Sequence, residues 1–234
     1  MEIMKRILLS MGTILAMNSF AVAGGDIVPA PVVQENDDAG WYAGLGLAYD
    51  RVYSIDKGWF DNSVPTQDEV GNVVGIVGYD FNEYIGIEGR ISQSIFEEDY
   101  ADLFTYSIFV KPQYRFRDKD DLENDDGYFT IYGLLGFGGV NVDGTDGDAP
   151  AHPDMFGQEI LSDTSFQWGF GISYTFVEQP DDERYALKDT WSVFIDYTSL
   201  IKDADIHSTL YGYDPKIYDK LSVDGITAGV TYHF

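Results

Sequence analysis

The sequence contains no cysteine. That excludes disulfide staples, thiol nucleophiles and thiolate metal sites together. Cations are scarce too: 14 Lys and Arg stand against 40 Asp and Glu, giving a formal charge of −26. A chain this acidic has no basic face to neutralise phosphates, so nucleic acid is excluded as a partner. Histidine is nearly missing, with three in 234 residues. His152 and His207 lie in separate polar segments, and His233 stands at the opposite end of the pattern. A nucleophile, base and orienting acid must sit close together. No such grouping is legible; His207 beside Ser208 is its nearest approach. The glycines recur at strand spacing without a following helix, so no phosphate-cradling loop is expected. Long apolar runs are also lacking. After residue 23, nothing approaches the roughly 20 apolar residues of a spanning helix.

What the N-terminus does have is an export pattern. Lys5 and Arg6 precede the mostly apolar run 7–20, and Ala21-Val22-Ala23 fits the small-x-small rule for cleavage. Residues 1–23 are read as a signal peptide. Its removal takes away Glu2, Lys5 and Arg6, which makes the mature chain slightly more acidic. Residues 24–40 form an acidic lead-in in which Pro29 and Pro31 oppose regular structure.

From residue 41 onward, alternation dominates. Phe166, Trp168, Phe170, Ile172, Tyr174 and Phe176 interleave with Gln167, Gly169, Gly171, Ser173 and Thr175. Period two of this strictness is a strand with one apolar and one small or polar face. The same reading applies to 41–50, 85–92, 104–116, 191–198 and 225–234. Segments 70–81 and 128–140 are less clean; in the latter, Phe129, Ile131, Leu135 and Phe137 are assigned outward. Pro112 cannot donate to a ladder, so a local bulge is expected there. Aromatic residues fall toward both ends of the apolar faces, with aliphatic ones between them, which is the imprint of a bilayer. An even set of such strands predicts an all-β, eight-stranded, antiparallel up-and-down transmembrane barrel over 41–234. The connectors 51–69, 93–102, 141–164 and 199–222 alternate with shorter ones. With both termini periplasmic, that set is extracellular. The outer membrane is the expected location, with its lipid and lipopolysaccharide as surroundings.

The opening Trp41-Tyr42-Ala43-Gly44-Leu45-Gly46-Leu47, and Gly78-Tyr79-Asp80-Phe81-Asn82 leading into Ile87-Glu88-Gly89-Arg90, resemble the small outer-membrane β-barrel family around the OmpA transmembrane domain and OmpX. The closing Tyr232-His233-Phe234 resembles the family's C-terminal assembly signal. The resemblance implies the outer-membrane assembly machinery as a transient partner. It covers 40–234, is specific for architecture, and carries no wall-anchoring domain.

The strand phases point Glu88, Arg90, Lys111, Gln113, Arg115 and Asp196 into the lumen, with Asp80 and His233 near the terminal end. An eight-stranded interior is wide enough for side chains and little else. Charges there must pair, since an unpaired buried charge is expensive. They are read as a polar plug, or alternatively as the lining of a narrow ion path. Asp143, Asp146 and Asp148 in Asp143-Gly144-Thr145-Asp146-Gly147-Asp148 offer oxygen ligands of the kind Ca²⁺ favours, but not at EF-hand spacing. A solvated loop is the preferred account, and no cofactor is expected. Trp59, Phe60, Tyr211, Tyr213 and Tyr218 are loop aromatics that could anchor an unknown extracellular ligand or simply pack the loops. The sequence therefore favours a structural and surface role without catalysis. A narrow, cation-preferring pore and a loop-mediated adhesin are the alternatives.

Overall fold

The computed structural model describes residues 39–54, 67–97, 101–116, 127–144, 159–176, 189–205 and 220–234. They form eight strands: β1 (Gly40–Ser54), β2 (Gln67–Asn82), β3 (Ile85–Glu97), β4 (Ala101–Phe116), β5 (Gly127–Gly144), β6 (Glu159–Phe176), β7 (Thr190–Asp205) and β8 (Lys220–His233). Each pairs antiparallel with its neighbour in sequence, and β1 pairs with β8 to close the barrel. Closure runs from Tyr42 opposite His233 to Ser54 opposite Leu221. Every strand is hydrogen-bonded to a neighbour on each side, as a bilayer requires. The end where β1 begins and β8 finishes is here called the near end. At this end, Asn82 Oδ1 accepts the amides of Tyr84 (2.8 Å) and Ile85 (3.1 Å), which fixes the tight β2–β3 turn.

The outer face is apolar across the middle of every strand. Leu45, Leu47, Val77, Ile91, Ile108, Val110, Leu135, Ile172, Ile195 and Val230 are all exposed. Aromatic rings touch one another in a belt around the near end. Trp41–Tyr79, Tyr114–Phe116, Phe129–Tyr174 and Trp191–Tyr232 have centroids 4.8–5.1 Å apart. A second belt, including Phe104–Tyr106, Phe137–Phe166 and Trp168–Tyr197, lies above the aliphatic middle. Phe129, Ile131, Leu135 and Phe137 do face outward.

Two sequence expectations need correction. The first concerns Pro112. Its missing N–H interrupts the β4–β5 ladder between the pairs Val110–Leu135 and Gln113–Tyr132. The register is the same on both sides of the gap, so no bulge forms.

The second concerns the strand ends and the lumen. At the far end the strands run on into the segments read as connectors. β1 and β2 continue through Arg51 opposite Glu69, β4 and β5 through Asp102 opposite Asp143, and β8 pairs with β1 as far as Leu221 opposite Ser54. The alternation inverts there. Within the apolar band, greasy side chains point out and polar ones point in. Beyond it, Arg51, Glu69, Asp143 and Asp224 point out, while Val52, Val70, Leu103, Val140, Val142, Leu161, Leu221 and Val223 point in and form one buried apolar cluster. The cause is the change of solvent outside the wall, from lipid to water. The lumen is therefore polar at the near end and apolar at the far end, not polar throughout. One seam is short: β6 pairs with β7 only up to Trp168 opposite Ser199, although both strands continue. Above that point Ser165 Oγ donates to Leu200 O at 2.6 Å.

Candidate functional site

The strand phases bring every charged residue singled out for the lumen to its near half. Arg90 on β3 is central. Its Nε donates to Glu88 Oε1 at 2.6 Å, while Nη1 and Nη2 donate to both oxygens of Asp196 on β7 at 2.9 and 2.7 Å. This is the bidentate geometry that a guanidinium makes best. Lys111 Nζ on β4 reaches Glu88 Oε2 at 3.1 Å. Arg115 Nη2 pairs with Asp80 Oδ2 at 2.9 Å, and Gln113 Nε2 donates to the other oxygen of Asp80 at 3.0 Å. Asp80 and His233 lie at the near end of the lumen.

Two tyrosines complete the network, and sequence reasoning did not single them out. Tyr42 OH donates to Glu88 Oε2 at 2.6 Å, and Tyr132 OH donates to Asp196 Oδ2 at 2.8 Å. Both rings also face Lys111 Nζ, at 4.6 and 4.7 Å from their centroids. Arg90 lies against Phe109 and Phe194 at 5.8 and 5.9 Å. The cations are thus held by carboxylates on one side and ring faces on the other. The signal was present in the pattern: Tyr42 falls in the inward phase of β1 and Tyr132 in that of β5. Glycines make the reach possible. A Cβ on Gly78 would overlap the Tyr42 ring, and one on Gly171 would meet Tyr132 OH at 2.7 Å. Gly229 similarly accommodates Phe194. Small and large inward residues interlock across the lumen.

A cavity of about 30 Å³ lies among Asp80, Glu88, Arg90, Lys111, Tyr132 and His233. That is the volume of about one water. Above the charges, the apolar cluster closes the far half.

Other sequence candidates are placed differently. Asp143 is exposed near the far end of β5, opposite Asp102 and Glu159. Asp146 and Asp148 lie outside the described residues, as do His152, His207, Ser208 and the five loop aromatics. Among the described residues, no group of three or more His, Asp or Glu is arranged to hold a metal ion. Tyr232 OH donates to Asp189 Oδ1 at 2.7 Å, and Phe234 is exposed on the outer wall beside Tyr232.

A closed barrel that is greasy outside and charged within belongs to the class of membrane-spanning β-barrels. The chain belongs to the outer membrane protein β-barrel domain family, whose model matches residues 19–234. The outer membrane is accordingly its location. Among solved structures it is similar to Neisserial surface protein A, with 15% identity over 84% of this chain and 99% of that one (TM-score 0.49). It is also similar to OprG from Pseudomonas aeruginosa, with 15% identity over 84% and 97% (TM-score 0.46). A third is Ail from Yersinia pestis, solved with the heparin analogue sucrose octasulfate, with 18% identity over 83% and 99% (TM-score 0.42). No curated protein matches the chain in sequence.

Proposed function

We propose that this protein is a plugged outer-membrane barrel with a structural and surface role and no catalytic activity. It stabilises the envelope and presents acidic loops to the outside. In this reading residues 1–23 are removed on export, the near end faces the periplasm, and the far-end loops meet lipopolysaccharide and the medium. Tyr232 and Phe234 serve as the signal to the assembly machinery.

One observation supports this reading above the rest: the lumen is filled at two successive levels. An ion crossing it meets the Glu88–Arg90–Asp196–Lys111 network first. It then meets the apolar cluster of Val52, Leu103, Val142, Leu161 and Val223. The first level is a set of compensated charges, and the second offers no polar group to replace a hydration shell. A pore would need both to rearrange at once. The test is electrical. Refolded protein inserted into a planar bilayer is expected to give no stable unitary current. Large, regular conductance steps would refute the plug and favour the narrow-pore alternative.

A further inference from the structure

The outer wall carries an apolar groove of about 800 Å³ that crosses β4, β5, β6, β7 and β8. One side of it is a single cross-strand row. Pro112 lies against Gly133, Gly133 is opposite Phe170, Phe170 is opposite Tyr197, and Tyr197 is opposite Ile226. The other side is the next outward row, in which Tyr114, Ile131, Ile172 and Ile195 follow one another by register. Gly133 is the notch, because the other residues of the two rows named here carry rings or branched chains. A Cβ at Gly133 would stand 3.4 Å from Pro112 Cγ and 3.9 Å from the Gly169 carbonyl oxygen, which is ordinary contact. The wall thus has room for a side chain at this point and supplies none.

The groove follows the hydrogen-bond direction of the sheet. Four interstrand steps of about 4.8 Å give it a length of roughly 19 Å. Pro112 stands two residues from Tyr114, and Tyr197 six residues from Trp191, both of the near belt. The groove therefore rises from the near belt toward the second one as it passes from β4 to β8. Strands of such barrels tilt by about 35–45°, so a cross-strand groove climbs roughly 11–13 Å, close to one leaflet of a hydrocarbon core about 30 Å thick.

Lipid surrounds this face, so apolar area alone attracts nothing: an alkyl chain is equally well off in bulk hydrocarbon. Contact density decides instead. A linear chain in the groove touches apolar atoms on several sides, whereas one against the rest of the wall touches them on one, and dispersion contacts accumulate. A second barrel fits less well, since its convex wall would bridge the groove and leave it unfilled. We infer that the groove holds one acyl chain of a phospholipid, ordered along the Gly133 notch with its headgroup at the near belt. The choice of phospholipid, the lipid of the inner leaflet, rests on the near end facing the periplasm as proposed above; the groove does not.

The full chain, refolded in vesicles of dimyristoylphosphatidylcholine, tests the groove in either orientation. Extracted barrels are followed by native mass spectrometry while bound lipid is progressively stripped. The wild type is expected to keep one phospholipid after the others are lost. Gly133→Leu fills the notch and is expected to lose that lipid with the rest. Ile195→Trp fills the groove from its other side and carries the test should Gly133→Leu fail to refold. Gly89→Leu adds the same side chain at an outward glycine of β3, between Val77 and Ile108 and outside the groove, and is expected to keep the lipid. No retained lipid in the wild type, or equal retention in the wild type and all variants, overturns the site. So does a dimer that Gly133→Leu separates into monomers, because a second copy would then occupy this face. Cleavage of the N-terminal segment by protease added to whole cells would overturn the orientation, and with it the choice of phospholipid, without altering the retention results.

Discussion

Arg90 and Asp196 lie 106 positions apart in sequence and meet across the lumen through two parallel hydrogen bonds of 2.9 and 2.7 Å. Glu88 accepts the third, from Arg90 Nε. Arg90 thus bridges two buried carboxylates, and its loss leaves Asp196 the Tyr132 hydroxyl as its hydrogen-bond donor among the described residues. Arg90→Met is expected to cost about 3–5 kcal/mol, the range for removing one member of a buried pair. Adding Asp196→Asn to that variant is expected to recover a large part of the loss, because the stranded charge is removed. Urea unfolding of the refolded barrel in lipid measures both. Equal stability of Arg90→Met and wild type would show the network to be energetically idle.

The two-level lumen makes a prediction about conductance that neither level makes alone. Weakening only the ion pairs, with Glu88→Gln and Arg90→Gln together, leaves the apolar cluster intact. Weakening only that cluster, with Leu103→Ser and Val142→Ser, leaves the charges paired. Neither pair of substitutions is expected to open a path in a planar bilayer. All four together are expected to give measurable currents. Currents from either pair alone would show that one level closes the barrel by itself.

Inversion of the alternation at the water boundary gives one residue type opposite roles on the two sides of the wall. Leu47 points into lipid at mid-strand, whereas Leu103 is fully buried in the far-end cluster. Leu47→Arg is expected to cost about 2–4 kcal/mol, as charge at the midplane does, and Tyr49→Arg, nearer the interface, only about 0–1 kcal/mol. Leu103→Ala is expected to cost about 2–5 kcal/mol by opening a cavity that lipid cannot fill. Unfolding midpoints of the three variants check this. A flat profile from Leu47 to Tyr49 would contradict the assigned depth.

The same inversion explains what the sequence did and did not disclose. Within the bilayer each strand separates two unlike environments, so Trp168 and Phe170 fall outward and Gln167 and Gly169 inward with no ambiguity. The inward charges of β3, β4 and β7 follow from that phase. Beyond the bilayer, Val52 and Arg51 keep the phase but exchange character, and a reader of hydrophobicity sees a strand end. The extensions of β5 through Asp143 and of β8 from Lys220 to Ser222 therefore read as loop. Partner choice was also hidden. Nothing in a period-two pattern says that Arg90 bridges to β7, or that Tyr42 crosses β2 to reach Glu88. Those depend on the stagger of the strands and on which inward positions are glycine.

The last point is testable through Gly78. A Cβ there would occupy the space of the Tyr42 ring, whose hydroxyl donates to Glu88 at 2.6 Å. Tyr42→Phe removes only that donor and is expected to cost about 1.5–3 kcal/mol, the range for a hydrogen bond to a charged group. Gly78→Val is expected to cost at least as much, since it displaces the whole ring. Once Tyr42→Ala has cleared the space, Gly78→Val should be far better tolerated. The two changes interact through one volume, so the double variant is expected to be more stable than the sum of the single losses predicts. A double-mutant cycle on unfolding midpoints supplies the coupling. Strict additivity would mean that the ring does not lie over Gly78, and the route by which β1 joins the ion-pair network would have to be redrawn.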